Sequence, residues 1–210
     1  YIDSDCRTVG TVRVFWPICP ISIYYVDGEQ CTGCDDRLDD CLAYQGWDGV
    51  SEPARKYYLL AKRAHNRRGF IPDHAVFITD HLRKTMARSI TMPPSSVIYN
   101  PVSVNRDPVL EPPEQPKFVM ASTLSEEKGV LTAVDAMKQI HKQLPKAQLL
   151  VFGDGPLEDT LREKAKDASK GNIHLRGRVP PAELYDEMAT ATATIFPSEW
   201  AEPFGRVTVE

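Results

Sequence analysis

Two glutamates near the end of the sequence are the first candidates for chemistry. Glu202 and Glu210 stand eight residues apart, with Pro203-Phe204-Gly205 between them and Pro197-Ser198 before them. Carboxylates accept hydrogen bonds from the hydroxyls of a polyhydroxyl ligand. A helix that begins near Gly205 would place Glu210 in its second turn and leave its first amides unpaired. This block therefore predicts a site that brackets a sugar-like ligand.

Three loops earlier in the sequence have the chemistry of an anion site. Lys128-Gly129 stands at the start of a predicted helix, where the helix N-terminus and the lysine ammonium attract a phosphate. Gly153-Asp154-Gly155-Pro156 allows a sharp turn and a close approach of the backbone to a ligand. Gly177-Arg178-Val179-Pro180 is a third loop of this kind. Taken singly, each of these segments is also typical of an ordinary surface turn.

Four of the five cysteines form a separate group, and they are Cys19, Cys31, Cys34 and Cys41. Four thiolates can surround a zinc ion tetrahedrally, although the spacings here are looser than in a standard zinc finger. Disulfides are an alternative, which a cytosolic location disfavours. Plain reduced cysteines are the third alternative, and Cys6 is left outside the group.

Strands and helices alternate in the second half of the sequence and place the three loops. Strands are predicted at 117–121, 147–152, 173–175 and 193–196, and helices at 130–144, 157–168 and 181–190. This alternation predicts βαβ units with a parallel sheet that is covered on both faces. Each candidate loop, and the glutamate block, follows a strand. Ligands of such sheets bind at the carboxyl ends of the strands, so we expect the loops to share one edge.

The first half of the sequence is less regular. Strands are predicted at 11–15, 74–79 and 97–99, a cysteine-rich loop at 17–48, and helices at 53–68 and 80–89, the latter capped by Asp80. In the first helix a helical repeat of apolar residues predicts the buried face. Its members are Tyr57, Leu60, Ala61 and Ala64, with the basic residues Lys56, Arg63 and Arg67 on a flank. Five prolines in 101–116 predict a semi-rigid linker.

Charge is unevenly distributed along the chain. Residues 35–52 are acidic, whereas residues 53–92 contain nine Lys or Arg and two Asp. Such a basic block favours an anionic partner, and a solvated surface is the alternative. No aromatic-basic interleaving indicates nucleic-acid binding, and no run of about 18 apolar residues indicates a membrane span. The sequence begins Tyr1-Ile2-Asp3, without Met or a signal peptide, so we expect both ends to be cut.

The order and spacing of Lys128-Gly129, the two glycine loops and the Glu202–Glu210 block resemble the group 1 (GT4-type) retaining glycosyltransferases of GT-B fold. The resemblance is close over 117–210 and looser over 74–101. It implies an α/β fold of two Rossmann-like domains with parallel sheets, both incomplete in this chain. Residues 1–101 would be the C-terminal part of the acceptor-side domain, 102–116 the linker, and 117–210 the first part of the nucleotide-sugar-binding domain.

The resemblance also implies a reaction. A sugar would pass from a nucleoside-diphosphate sugar to a hydroxyl of a glycan, polysaccharide or lipid-linked saccharide, with retention of configuration. No catalytic metal is expected, because basic residues and helix dipoles stabilise the leaving diphosphate. The enzyme would be cytoplasmic, with a basic acceptor-side surface suited to the inner face of an anionic membrane.

Residue roles follow from the same resemblance. Glu202 would hold hydroxyls of the transferred sugar, and Lys128 would stabilise the diphosphate; these two are the catalytic candidates. Glu210 would bind the ribose hydroxyls. The other donor-binding candidates are Ser122, Thr123, Gly153, Gly155, Arg178 and Val179, the last two against the base, and the amides of Phe204 and Gly205.

Two segments depart from the family pattern. Ser122-Thr123-Leu124 stands where the family usually has Gly-Arg-Leu. The segment from Phe15-Trp16-Pro17 through the cysteines resembles an insertion in some bacterial and archaeal members, which carry His-Asp where this chain has Arg13-Val14. These departures favour the alternative of a non-catalytic glycosyltransferase-like subunit; a GT-B epimerase or phosphorylase relative is another. The 210-residue chain alone is expected to be inactive.

Overall fold

The computed structural model describes residues 6–44, 49–102, 113–168 and 172–210. By their internal contacts, residues form two compact units. The first unit comprises Tyr1–Pro101 and Trp200–Gly205, and the second unit comprises Val102–Glu199 and Arg206–Glu210. The predicted linker, 102–116, falls mostly on residues 103–112, which lie outside the described residues.

The first unit contains short strands and helices of different lengths. In chain order they are β1 (Val9–Val12), β2 (Tyr25–Val26), β3 (Glu29–Gln30), α1 (Cys34–Tyr44), α2 (Glu52–Gly69), β4 (His74–Phe77), α3 (Asp80–Ala87) and β5 (Ser95–Val97). Strands β1, β4 and β5 form a parallel sheet in the order β1-β4-β5. An apolar cluster that includes Val12, Phe15 and Phe77 packs against it.

The predicted cysteine-rich loop is wrong over part of its length. Strands β2 and β3 pair in a short antiparallel hairpin, and α1 follows. Leu38, Cys41 and Leu42 are buried on one side of α1, a spacing of three and four residues that defines a helical face. The many aspartates of this segment obscured that pattern. Residues 45–48 lie outside the described residues.

Helix α2 confirms the predicted helix but not its predicted buried face. Tyr57 is 77% exposed and Leu60 is 43% exposed, whereas Leu59 is 1% exposed. Ala61 and Ala64 are exposed as well. The inward side is partly polar, since Asn66 Nδ2 donates to the backbone carbonyl of Trp16 (2.8 Å). The prediction failed because periodicity alone favoured the more apolar stripe, whereas packing buried the other one.

Ion pairs connect α1 with α2. Arg63 donates from Nη1 and Nη2 to the two carboxylate oxygens of Asp35 (2.7 and 2.9 Å), and Lys56 Nζ lies 3.4 Å from Asp39 Oδ1. The acidic and basic segments of the sequence therefore neutralise each other in part. The basic block is less available to an outside anion than the sequence alone predicts.

The cap of α3 also differs from the prediction. Thr79, not Asp80, is the N-cap, because its hydroxyl accepts a hydrogen bond from the amide of Leu82 (3.2 Å). Asp80 instead lies in the first turn and pairs with Arg83 and Lys84.

The second unit has the regular architecture that the sequence predicts. In chain order its elements are β6 (Lys117–Ala121), a 3₁₀ turn (Glu126–Lys128), α4 (Val130–Gln143), β7 (Gln148–Phe152), α5 (Glu158–Ala168), β8 (Ile173–Gly177), α6 (Pro181–Ala189), β9 (Ala193–Thr194) and a 3₁₀ turn (Arg206–Thr208). The four strands are parallel, in the order β8-β7-β6-β9.

Alternate residues of these strands enter two apolar clusters. Met120 and Leu149 belong to the larger cluster, with buried residues of α4 and α5. Val119 and Leu150 belong to the smaller one, against which α6 packs. Because neighbouring strand residues point to opposite faces, helices cover both sides of the sheet. The predicted α/β fold with parallel sheets is confirmed.

Candidate functional site

Three loops meet at the carboxyl edge of the sheet in the second unit. The loop after β6 is tied to the loop after β7, since Leu124 N–H donates to the carbonyl of Asp154 (2.8 Å). The loop after β7 is tied to the end of β8, since Gly153 N–H donates to the carbonyl of Gly177 (2.8 Å). The predicted clustering of the candidate loops at one edge therefore occurs within this unit.

The glycines of the loop after β7 are required by the protein itself. A Cβ atom on Gly153 would lie 1.9 Å from the carbonyl oxygen of Ser122, and one on Gly155 would lie 2.5 Å from that of Leu124. Gly153 also has a φ of 124°, which disfavours other residues. The sequence suggested a close approach to a ligand, and the structure shows a close approach of two loops.

Lys128 ends a 3₁₀ turn directly before α4. Gly129 follows with a φ of 63°, and a Cβ atom there would lie 2.0 Å from the carbonyl oxygen of Pro197. Lys128 is half-buried. The α4 N-terminus adds a partial positive charge beside it, whereas Glu126 and Glu127 of the same turn add negative charge.

The loop after β9 is fastened to the same turn. Glu199 N–H donates to the carbonyl of Glu127 (3.0 Å), and Thr132 Oγ1 donates to the Glu199 carboxylate. Ser125 Oγ, buried nearby, donates to Glu127 Oε1 (2.6 Å). Sequence reasoning did not identify Glu199 or Thr132, although Glu199 stands in the block that drew attention.

The remaining donor-binding candidates of these loops differ in how exposed their side chains are. Arg178 is exposed, with Nε 3.7 Å from Asp154 Oδ2. Val179 is half-buried against the smaller apolar cluster. Thr123 is exposed and Ser122 is half-buried. Arg178 and Thr123 are therefore accessible to a ligand, and Val179 has a packing role.

Glu202 lies in the first unit, where its carboxylate is held in place. Trp200 Nε1 donates to Glu202 Oε2 (2.8 Å), and the edge of the Trp200 ring contacts Phe15, with centroids 6.4 Å apart. Thr79 Oγ1 donates to the carbonyl of Pro203 (2.8 Å). Sequence reasoning missed Trp200, although its position two residues before Glu202 was visible.

Phe204 and Gly205 complete this segment of the first unit. Phe204 packs against the apolar cluster that contains Phe15. Gly205 is buried and has a φ of 70°. Both lie in the segment Trp200–Gly205, so the backbone around Glu202 is fixed on both sides.

Glu210 follows a 3₁₀ turn that spans Arg206–Thr208. Its backbone N–H donates to the carbonyl of Arg206 (3.0 Å), which is the hydrogen-bond spacing of an α-helical turn. The Glu210 side chain is 11% exposed and pairs with the guanidinium of Arg206.

The four grouped cysteines line one cavity of the first unit. All five cysteines are free thiols. Burial raises the pKa of Cys19 to about 11 and that of Cys41 to about 12. Within the described ranges, no three His, Cys, Asp or Glu side chains are already arranged around a common point as metal ligands. The zinc prediction therefore stays a prediction.

Comparison with known sequences identifies the family. The sequence model described as "Glycosyl transferases group 1" matches residues 103–210, more than half of the chain. The chain belongs to the group 1 glycosyl transferases. The predicted family is confirmed, whereas retention and the subgroup with a cysteine insertion stay predictions.

Three curated relatives illustrate the similarity of this group 1 chain to known sequences. It is 34% identical over 83 residues to a GDP-mannose-dependent monoacylated alpha-(1-6)-phosphatidylinositol monomannoside mannosyltransferase of Corynebacterium glutamicum, covering 40% of this chain and 22% of that protein. It is 28% identical over 152 residues to the GDP-mannose-dependent alpha-(1-6)-phosphatidylinositol monomannoside mannosyltransferase of Mycobacterium tuberculosis, covering 66% and 39%. It is 34% identical over 76 residues to the UDP-N-acetylglucosamine–peptide N-acetylglucosaminyltransferase GtfA subunit of Streptococcus gordonii, covering 36% and 15%.

Solved structures share the fold. WaaG, a glycosyltransferase involved in lipopolysaccharide biosynthesis, matches 99% of this chain and 56% of its own, with a TM-score of 0.60 and 16% identity. TarM matches 92% and 32%, with a TM-score of 0.58 and 11% identity. These are GT-B glycosyltransferases, so the GT-B prediction is confirmed. The chain spans well under half of the curated relatives that it matches.

The described helices also bear on membrane attachment. None of them is both long enough and apolar enough to cross a bilayer.

Proposed function

We propose that this group 1 chain belongs to a retaining hexosyltransferase, which moves a sugar from a nucleoside-diphosphate sugar to a hydroxyl of a saccharide or lipid-linked acceptor. The observation that carries the proposal is the Lys128-Gly129 turn at the N-terminus of α4, at the loop edge of the second unit. The relatives support it, since two are named as GDP-mannose-dependent mannosyltransferases with lipid-linked acceptors.

The diphosphate is assigned to Lys128 and the α4 N-terminus. As the sugar leaves, negative charge grows on the diphosphate oxygens, and a lysine ammonium together with a helix dipole stabilises that charge. The catalytic role of Lys128 is therefore electrostatic. Because these groups supply positive charge, the proposal includes no catalytic metal.

The sugar and the ribose are assigned to the two glutamates. Glu202 accepts hydrogen bonds from hydroxyls of the transferred sugar, and Trp200 orients its carboxylate through Nε1. Glu210 accepts from the ribose hydroxyls, and Arg206 orients it. A carboxylate held by a donor loses less conformational freedom when a ligand binds, which favours affinity.

The exposed loop residues complete the proposed donor site. Ser122 and Thr123 stand where the family pattern has Gly-Arg. The two hydroxyls therefore contact the phosphates as neutral donors and bind them less strongly than an arginine would. Arg178 lies against the base. The backbone amides near Phe204 and Gly205 position the donor, as the family resemblance implies.

A ligand series tests these assignments on the purified chain. Calorimetry measures the binding of UDP, GDP and their sugar conjugates to the wild type and to four variants, one of which is a control. Lys128→Ala should weaken all ligands by about tenfold or more, with Lys138→Ala as the control because Lys138 pairs with Asp135 on the outer side of α4. Glu210→Ala should weaken the binding of the nucleoside diphosphates and of their sugar conjugates to the same extent, because both carry the ribose.

Glu202→Gln gives the sharper comparison. It should weaken the binding of the sugar conjugate and leave the affinity for the free nucleoside diphosphate unchanged, because only the conjugate carries the hydroxyls of the transferred sugar. Equal weakening of both ligands would contradict the assigned role of Glu202. No binding of any nucleoside diphosphate by the wild type would contradict the proposal as a whole.

Transfer and its stereochemistry need a longer protein, since we also propose that the 210-residue chain alone is inactive. The support is that the chain covers only 56% of WaaG. NMR of the first product formed by a longer protein that contains this chain should show the anomeric configuration of the donor. Nucleotide-sugar binding without transfer by that protein would favour a non-catalytic subunit. Transfer by the 210-residue chain would contradict the proposed inactivity.

A membrane contact is the second proposal, and the exposed face of α2 favours it. Tyr57 and Leu60 project from this helix, with Arg67 and Arg68 in its last turn. Exposed apolar residues beside basic ones suit the surface of an anionic membrane, which would place the protein at the inner face of a cytoplasmic membrane. Sedimentation with phosphatidylglycerol vesicles should exceed that with phosphatidylcholine vesicles, and Leu60→Ser should reduce it. Equal sedimentation would contradict this proposal.

A further inference from the structure

Four thiols of the first unit surround one cavity although they are dispersed in the sequence. Cys19 precedes β2, Cys31 follows β3, and Cys34 and Cys41 belong to α1. Cys6, the fifth cysteine, is exposed and is not among the residues that line this cavity. The fold therefore selects four of the five cysteines and gathers them, which an unspecific use of cysteine as a small apolar residue does not require.

Backbone amides point at two of these sulfurs. Gly33 N–H donates to Cys31 Sγ (3.3 Å), and hydrogen bonds from the backbone of Ile21 and Tyr24 reach the sulfur of Cys19. In both cases a residue two positions after the cysteine takes part. A neutral thiol is a weak acceptor, whereas a thiolate is a strong one. The Cys31 thiol also lies 3.7 Å from the carbonyl of Gly33, to which it can donate. This turn therefore accommodates a neutral thiol and can stabilise a thiolate through the Gly33 amide.

A buried cation faces the same group. Arg63 lies within electrostatic range of Cys34, and its side chain is 12% exposed. Among the described residues, the Nε atom of Arg63 is buried and has no hydrogen-bond partner. Burying part of a guanidinium is costly unless negative charge is near. Asp35 already accepts from Nη1 and Nη2 of Arg63, and thiolates at the cavity would add negative charge near the same guanidinium.

The surroundings of the cavity also need reinforcement. We call residues 17–44 the cysteine region. Its strands are two residues long. Its cluster of buried Val26, Leu38, Cys41 and Leu42 is completed by one residue of α2, Leu59. Small regions with so little core are commonly stabilised by a disulfide or a metal ion. Here the thiols are free, which leaves them available to a metal.

We propose that Cys19, Cys31, Cys34 and Cys41 bind one zinc ion, which fixes the cysteine region. The thiols surround the cavity without yet converging on a point, so binding requires rotation about their Cα–Cβ bonds, which have three staggered positions. Zinc then bonds to four sulfurs at about 2.3 Å in a tetrahedron. Four thiol protons pass to solvent, and the resulting complex carries two negative charges, opposite Arg63.

The zinc site would also support the segment that carries Glu202. The Tyr24 ring stacks on Phe15 with centroids 5.3 Å apart, and Phe15 contacts Trp200, which holds Glu202. This consequence rests on the proposed function, whereas metal binding itself does not. The two can therefore fail separately.

Metal content tests the proposal on the 210-residue chain, purified with a reductant from zinc-supplemented cells. Plasma mass spectrometry should find about one zinc per chain. Cys6→Ser should retain it, and Cys34→Ser should lose most of it. Less than about one zinc per ten chains in the wild type would overturn the proposal, as would equal zinc content in the wild type and Cys34→Ser.

A measurement on the wild type avoids variants that fail to fold. After chelation, cobalt should produce the thiolate charge-transfer and d–d absorption of a tetrahedral sulfur site. Added zinc should abolish that absorption and raise Tm by more than about 5 °C. An octahedral cobalt spectrum without thiolate bands would overturn the proposal. Loss of four thiols to disulfides in the protein isolated without a reductant would also overturn it.

Discussion

The second unit and the cysteine region are stabilised by different means. The larger cluster of the second unit contains twelve buried residues around a parallel sheet, and its loops are joined by backbone contacts too close for any Cβ atom at Gly129 or Gly153. The apolar cluster of the cysteine region has five buried members, one of which is Leu59 of α2. Ion pairs between α1 and α2 and a group of thiols lie beside it. In the second unit, stability therefore depends on close backbone packing around a large apolar core. In the cysteine region, it depends more on interactions between polar side chains.

We expect the largest loss of stability from a substitution that disrupts the close backbone contacts of the second unit. Gly129→Ala places a methyl group about where the Pro197 carbonyl lies, and it should lower the free energy of unfolding by more than about 3 kcal/mol. Gly177→Ala is the matched control, because Gly177 has a similar φ of 69° but open space around it. It should cost about 1 kcal/mol. Urea denaturation measures both, and equal losses would show that crowding at Gly129 is unimportant.

A pair of leucine truncations compares the two cores directly. Leu149→Ala, at a fully buried position of β7, should cost about 3 kcal/mol, because the packed sheet cannot close the cavity. Leu42→Ala, in the smaller cluster of the cysteine region, should cost less, at about 2 kcal/mol, because short elements relax more easily. Urea denaturation followed by circular dichroism gives both values. A larger loss at Leu42 would reverse the comparison.

An ion pair is expected to matter more in the cysteine region than on the surface of the second unit. Arg63→Met removes the partner of Asp35 at a largely buried position and should lower Tm by a few degrees. Lys138→Met removes an exposed partner of Asp135 and should change Tm by less than about one degree. Thermal unfolding at low salt measures the two. If both variants melt like the wild type, the α1–α2 pairs do not stabilise the region.

Lowering the pH should reduce the stability of the first unit more than that of the second unit. Hydrogen bonds and charge from Arg63 lower the pKa of Asp35, backbone and side-chain hydrogen bonds from Thr8 lower that of Asp73, and Lys138 lowers that of Asp135. A carboxyl with a lowered folded-state pKa stabilises the protein above its unfolded pKa of about 3.9, and this stabilisation is lost as pH falls through the folded value. Unfolding should therefore become easier below about pH 4.

Two substitutions measure how much each unit contributes to the pH dependence of Tm. Asp35→Asn should flatten the acid dependence of Tm, and Asp135→Asn should flatten it less, since Asp135 pairs with lysines on the surface. Scanning calorimetry from pH 3 to pH 7 measures the slopes. A steeper slope in either variant would contradict the assignment.

Sequence was a good guide wherever periodicity and packing agree. The apolar repeat of Val130, Ala133, Val134 and Met137 predicts the buried face of α4, and the structure buries all four. In α2 the stripe of Tyr57 and Leu60 is exposed, because Leu59 packs against α1 instead. That choice depends on α1, whose helical character the aspartates concealed.

The candidate site shows the same limit. The sequence placed the loops at one edge of the sheet, because the order of strands and helices dictates it. It did not reveal that Gly153 meets Ser122, or that Trp200 holds Glu202. Contacts between residues far apart in sequence depend on three-dimensional packing, and neither spacing nor composition encodes them in a form that can be read from one chain.

The attachment of the loop after β9 to the start of α4 has a consequence for dynamics. Glu199 is bonded to Glu127 and Thr132, and Pro197 rests on Gly129. We therefore expect residues 197–199 to move together with the first turn of α4. In a hydrogen–deuterium exchange experiment the amide of Glu199 should be protected together with those of the sheet, so that the proposed donor would meet a preformed wall.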